Sequence, residues 1–300
     1  MSKRIATAVA IIGAAGAISG CAFEQPSPGC QVQDSDVPWQ AVYILKNPEA
    51  DGSKSCSKLK GEAIGAWKYV KDPLTNPTNQ LVIRPEGTAS RFVYTYEVQA
   101  KNEDGTPKVK DGKPVMEEVE AERADPNEIK GQTADGRPLT AKEAASSGTA
   151  SLAMEPDSNG LCAAQGFDRQ ASVIATEVRH QETNEVLVPA ETAIYTYKNV
   201  QVYSAAGAPG TQLSGEFTYS DGPGCEVEYK MLALWPQTAC DPEAFANPTE
   251  ENAADRCAEG SGLNPDFDAV CVAGIGPLDD DGARMGGCVP NPAKGVPSFK

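Results

Sequence analysis

Apolar and polar residues alternate with a period of two over several stretches of this chain, the signature of strands with one face toward a core. In residues 91–100, RFVYTYEVQA, the side chains of Phe92, Tyr94, Tyr96 and Val98 share one face, and Val93, Thr95, Glu97 and Gln99 the other. Residues 193–204 set Ile194, Thr196, Val200 and Val202 opposite Tyr195, Tyr197 and Tyr203. In residues 226–235, Val227, Tyr229, Met231, Ala233 and Trp235 line one side. Further strand-like runs occupy residues 39–45, 64–70, 80–84, 115–120, 172–180, 185–189 and 212–219. Valine, isoleucine, threonine and aromatic residues enrich them, as a half-buried pleated surface favours.

Asp104-Gly105 and Asp111-Gly112 precede strand-like runs, and Asp51-Gly52, Asp135-Gly136 and Asp221-Gly222 repeat that tight-turn dipeptide. Thr140 and Glu143 have capping-box spacing, which predicts a short helix over residues 141–147. No long amphipathic helical pattern occurs. The pattern therefore predicts a mainly β protein, a β-sandwich or barrel-like architecture, with a disulfide-rich irregular C-terminal tail. A β-rich region with a long charged hairpin is expected over residues 30–135, a polar linker with the short helix over 136–159, and a second β-rich region over 160–238. Residues 239–300, rich in Cys, Gly and Pro, form the tail, ordered mainly by its disulfides. Cys30, Trp39, Tyr43 and Cys56 are echoed by Cys225, Tyr229, Trp235 and Cys240, through duplication or through the common look of strands near cysteines.

The amino terminus has a different pattern. MSKR is followed by fourteen small or apolar residues, IATAVAIIGAAGAI. A basic stretch before an apolar run of that length reads as a secretory signal, and the run is shorter than the roughly 20 residues that span a bilayer. It ends in Ile18-Ser19-Gly20-Cys21, which resembles the lipobox of bacterial lipoproteins. That resemblance implies removal of residues 1–20, a diacylglyceryl group on the Cys21 sulfur and acylation of the new amino terminus. An ordinary secretory signal with Cys21 in a disulfide is the other reading. Residues 21–29 hold two prolines and a glycine and form a tether. Ala22, where aspartate would argue for inner-membrane retention, points to lipid anchoring at the outer membrane of a Gram-negative bacterium.

Charge and cysteines narrow the picture. Net charge is −16, and loss of Lys3 and Arg4 with the leader takes it to −18. Such a polyanion is repelled by nucleic acid and by anionic headgroups, and no basic aromatic patch opposes this, so nucleic-acid binding is excluded. Besides Cys21, eight cysteines remain: Cys30, Cys56, Cys162, Cys225, Cys240, Cys257, Cys271 and Cys288. An even number in an exported chain reads as disulfides. Local pairing predicts Cys30–Cys56, Cys225–Cys240 and Cys271–Cys288, leaving Cys162–Cys257. With one histidine and no CxxC, neither a zinc site nor any other metal or cofactor is expected.

The stretch GCQVQDSDVPWQAVYILKNPEADGSKSCSKLKGEAIGAWKYV resembles the opening of the MlpA-type lipoproteins of myxobacteria. The likeness runs through the second and third cysteines to Leu59-Lys60-Gly61-Glu62, Gly65 and Tyr69, and returns in YKMLALWPQTAC and GSGLNPDF near the other end. It implies an outer-membrane lipoprotein and carries over no catalytic residue.

Catalytic groupings are not evident. His180 lies in Val178-Arg179-His180-Gln181-Glu182, at the polar end of a strand, and reads as an exposed surface histidine. There is no G-x-S-x-G or H-E-x-x-H. Asp279-Asp280-Asp281-Gly282 invites a calcium loop, but the later positions are Ala283, Arg284 and Pro290, which breaks the EF-hand pattern. The reading is a non-enzymatic envelope lipoprotein with a structural or binding role, bound to the membrane through its lipid. The alternative is an exported hydrolase or small-ligand-binding β-barrel with Tyr94, Tyr96, Tyr195 and Tyr197 lining its pocket.

Overall fold

A computed structural model describes residues 29–33, 37–71, 73–123 and 147–300. The leader, Cys21, most of the tether and most of the expected short helix lie outside the described residues. The strands are, in chain order, β1 (Trp39–Leu45), β2 (Gly61–Lys71), β3 (Thr78–Pro85), β4 (Val93–Gln99), β5 (Val109–Lys110), β6 (Lys113–Pro114), β7 (Met116–Glu122) and β8 (Gly148–Leu152). They continue as β9 (Leu161–Arg169), β10 (Ala171–Ala175), β11 (Val178–Arg179), β12 (Val186–Val188), β13 (Glu191–Ala205), β14 (Ala208–Gly222) and β15 (Cys225–Leu234). The last are β16 (Ala239–Cys240), β17 (Ala269–Val272) and β18 (Gly286–Pro290). Short helices α1 (Pro48–Asp51), α2 (Glu86–Ala89) and α3 (Pro242–Ala246) interrupt them.

The main sheet closes on itself. Eight antiparallel strands follow the order β13, β14, β15, β1, β2, β3, β8 and β9, and β9 pairs back onto β13. The mainly β reading is thus realised as a closed barrel, which removes the exposed edges of an open sheet. β13 is long enough to have two neighbours in succession: its first half pairs with β10, its second with β9. The exchange occurs at a bulge after Lys198, where Asn199 takes φ of 53°, and opposite it β9 bends at Gly166, φ 70°. Only glycine takes such a φ at little cost, so the bend is encoded locally.

An eight-stranded barrel is just wide enough for its own side chains to fill it. Alternation sends Trp39, Ala41 and Tyr43 of β1, Ile64 and Ala66 of β2, Leu81 and Ile83 of β3, and Tyr229 and Met231 of β15 into one buried cluster. Aromatic rings occupy much of it: Phe217 lies 5.3 Å from Tyr229 in a stacked pair and 4.8 Å from Tyr43 edge-on, geometries that the ring quadrupole favours.

The outer face of β1 and β15 is buried as well. Val42, Leu232 and Leu234 pack beneath the C-terminal tail against Ile275, Val289 and Cys288. Gln40, also on that outer face and fully buried, donates to the Ile275 carbonyl at 2.6 Å, so the tail is held by a satisfied polar contact inside an apolar one. The tail itself forms a small sheet in the order β16-β18-β17. β4 and β7 make the long charged hairpin, with β5–β6 near its tip, and β11–β12 packs beside it through a Tyr96–His180 ring contact at 5.8 Å and a Lys101–Glu182 ion pair.

Three expectations are corrected. Every predicted disulfide pairing is replaced: the bonds are Cys30–Cys162, Cys56–Cys225, Cys240–Cys271 and Cys257–Cys288. Adjacency in space, set by the barrel, overrides adjacency in sequence: β1 lies between β15 and β2, so the β1–β2 loop bearing Cys56 meets the start of β15 at Cys225. Within the stretch expected as a polar linker, Gly148–Leu152 is a barrel strand. Strands from before and after residue 135 share one sheet, so that boundary does not separate two β units.

Candidate functional site

β2 carries the one acidic side chain among the described residues that burial places inside the barrel. Glu62 has the same parity as Ile64 and Ala66, so the pleat that buries them buries it too; it is 8% exposed. Its Oε1 accepts hydrogen bonds from the hydroxyls of Tyr43 at 2.9 Å and Tyr195 at 3.0 Å. The amide of Gly87, at the start of α2, donates to Oε2. Three donors on one carboxylate normally lower its pKa, yet burial outweighs them and holds Glu62 above the usual carboxylate range. Burial, reinforced by the Glu62 charge, raises Tyr43, Tyr195 and Tyr197 as well, which keeps these phenols protonated. Tyr229 is pushed up to about 12 by burial, and its hydroxyl donates to the Cys56 carbonyl at 3.0 Å.

α2 caps this end of the barrel. A Cβ at residue 87 would lie 2.3 Å from the Tyr195 hydroxyl, so only glycine lets the backbone come this close to the cluster. The Arg91 guanidinium donates to the Gly87 carbonyl, and Arg284 of the tail pairs with Glu86. Together these groups line an open cleft of about 180 Å³ between Glu62, Glu86, Gly87, Arg91, Tyr195 and Arg284. One oxygen of Glu86, Oε2, and the Tyr197 hydroxyl are buried without a hydrogen-bond partner among the described residues. A second opening of about 520 Å³ lies where β9 and β13 part, against Phe167, Tyr197 and Asn199.

The four tyrosines expected to share a pocket fall into two places. Tyr195 and Tyr197 are inside the barrel, whereas Tyr94 and Tyr96 stack on each other, 6.3 Å apart, on the β4–β7 hairpin. His180 is half-buried against Tyr96 rather than exposed, and its Nδ1 accepts from the amides of Glu182 and Thr183. Those hydrogen bonds stay within its own turn. The Asp279–Gly282 stretch is a turn in which Asp279 Oδ1 accepts from the amides of Asp281 and Ala283. In the sequence Glu62 stands within the Leu59-Lys60-Gly61-Glu62 motif. A lone charge on the apolar parity of a strand was the signal for it; nothing local pointed to Gly87 or Tyr43 as its partners.

Chemically the cluster is a buried proton acceptor saturated with donors, roofed by a glycine turn and two guanidiniums. Such a group anchors the α2 cap. The comparisons with known proteins agree with the sequence likeness. The MlpA family profile matches residues 37–236, the whole of the barrel apart from its entry segment. A Myxococcus xanthus protein named as a lipoprotein, MlpA, is 33% identical over 304 aligned positions that cover 100% of both chains. No solved structure matches. With two thirds of its length under the family profile and a full-length relative at this identity, the chain belongs to the MlpA family.

Proposed function

We propose that this MlpA-family lipoprotein is held at the outer membrane by lipid on Cys21 and acts there without catalysis, as a rigid structural or binding module. The observation that carries the reading is the packed lumen. Side chains such as Tyr43, Tyr195, Phe217 and Tyr229 fill it, so recognition falls to the outer surface and the loops. The cleft beside Glu62, about 180 Å³, is smaller than the roughly 300–1,000 Å³ of ordinary small-molecule sites, whereas the opening where β9 and β13 part, about 520 Å³, falls within that range and is the place in the wall where a small ligand fits. Two long-range disulfides and a disulfide-pinned tail make the surface stiff. No helix among the described residues is long and apolar enough to cross a membrane, and the lipid on Cys21 supplies the attachment. A single acyl chain binds marginally, whereas several, at about 0.8 kcal/mol per buried CH₂, hold for the lifetime of the protein.

The Cys21→Ala variant tests it. Expressed in the native host, it is expected to leave the membrane pellet almost completely and appear in the soluble envelope fraction, while wild type sediments with outer-membrane markers on a density gradient. A variant that still pellets removes the anchor; wild type banding with inner-membrane markers removes the outer-membrane assignment.

A further inference from the structure

The barrel end at which residues 29–33 enter carries an apolar tip. Trp39, the first residue of β1, lies opposite Ile64, so β2 continues to Lys71 without β1 beside it, paired with β3, which itself pairs with β8 from Asn79 on; the turn after Lys71 stands clear of that wall. At the end of this hairpin Tyr69 and Val70 are exposed, and Leu74 in its turn is 97% exposed. Met154, exposed as well, sits at the hairpin base, where the Asn79 side-chain amide donates to the adjoining Ala153 carbonyl. Single exposed leucines are ordinary. Here four large apolar side chains share one end of a molecule with net charge −16, and Leu74 is the most exposed large apolar residue among those described.

The tether arrives at the same end. The Cys30 amide donates to the Met154 carbonyl at 2.9 Å, and the Lys68 ammonium to the Cys30 carbonyl at 2.6 Å. β2 continues three residues beyond Lys68 to Lys71, about 10 Å at the rise of a strand, before the turn that carries Leu74. Eight residues separate Cys21 from Cys30, and they span about 28 Å at most. Lipid on Cys21 and the hairpin tip can therefore meet one plane.

We propose that the β2–β3 tip, with Tyr69, Val70 and Leu74 in front and Met154 at its base, seats in the interface of the phospholipid leaflet that holds the Cys21 lipid. The inference rests on the anchor proposed above and adds an orientation: the barrel stands with its Cys30–Cys162 end down and its α2 cap and Arg284 away from the bilayer. The chemistry fits an interface rather than a polar partner. Tyrosine favours headgroup depth, and the exposed Lys71 next to the tip can reach lipid phosphates along its own stem. Because the molecule is strongly acidic, the contact is apolar in origin and holds in high salt.

The test uses the full-length lipidated protein, reconstituted in phosphatidylethanolamine–phosphatidylglycerol vesicles, with an environment-sensitive dye on Leu74→Cys. Leu278→Cys, exposed in the tail near Arg284, gives the comparison. Leu74 is almost fully exposed, so its replacement leaves the fold intact. The dye at 74 is expected to shift to the blue on vesicles and to be quenched several-fold more by brominated lipid than the dye at 278. Flotation with vesicles but no blue shift at 74 overturns the tip contact and leaves the anchor standing. Failure to float overturns the anchor, and the tip proposal with it.

Discussion

Replacing Cys56 and Cys225 together by alanine is expected to remove about 4.6 kcal/mol of stability, against about 3.7 kcal/mol for the Cys240 and Cys271 pair. The difference follows from what each bond closes. Cys56 and Cys225 are 169 residues apart in sequence, and about 90 by the shorter path through the Cys30–Cys162 bond, whereas Cys240 and Cys271 are only 31 apart. A cross-link over a long stretch takes more conformational freedom from the unfolded chain, which raises its free energy relative to the folded barrel. The folded state adds to the effect. Cys56 is buried, its amide donates to the Cys225 sulfur, and the Tyr229 hydroxyl bonds to its carbonyl, so the bond also pins the β1–β2 loop over the barrel mouth. Double substitutions avoid a leftover thiol that could exchange with the remaining bridges. Urea unfolding without reductant, followed by tryptophan fluorescence, measures the two losses. An equal or larger loss for the tail pair would sink the account, because loop length would then not govern these bonds.

The same topology explains what could be read from the sequence. The runs around Tyr94, Tyr195, Phe217 and Tyr229 show clean alternation because one face packs on aromatic neighbours and the other does not. All of them are strands in the structure. β8 and β9 escaped because all but one of their buried inward positions are small: Gly148 and Ala150 beside Leu152 in one, Cys162 and Ala164 in the other. A Cβ at residue 148 would lie 2.7 Å from the Tyr197 ring, so it is the bulk of Tyr197 that demands a small residue there. Size complementarity between strands far apart in sequence leaves no periodic trace in either one. Without β8 and β9 the ring has no closure, and without the ring the cysteines look as if they pair locally. The Glu62 cluster divides in the same way. Its acid could be found by parity, while Tyr43, Tyr195 and Gly87 reach it from three other elements through tertiary packing alone.

Glu62→Leu is expected to cost about 3 kcal/mol or more at neutral pH, because it strands two phenol hydroxyls and the Gly87 amide in a buried place, each worth about 1–3 kcal/mol when unsatisfied. Relief from burying a carboxylate offsets part of this, and the balance can be separated by pH. Burial raises the native pKa of Glu62 above its ordinary value of 4.5, so the native state binds a proton more readily than the unfolded chain. The contribution of Glu62 to stability is therefore complete below 4.5 and is lost as pH rises through the window up to the raised native value. Glu62→Gln has nothing to titrate. It keeps an acceptor for the tyrosines but turns an amide donor toward Gly87, a smaller defect than leucine makes. Chemical unfolding from pH 4 to 8 should show wild type losing ground relative to Glu62→Gln as pH rises through that window, then running parallel to it. A wild type that gains on Glu62→Gln over the same range would mean the three donors outweigh burial and hold this carboxylate low. A leucine variant as stable as wild type would mean that the hydroxyls and the amide find other partners, and that α2 caps the barrel without Glu62.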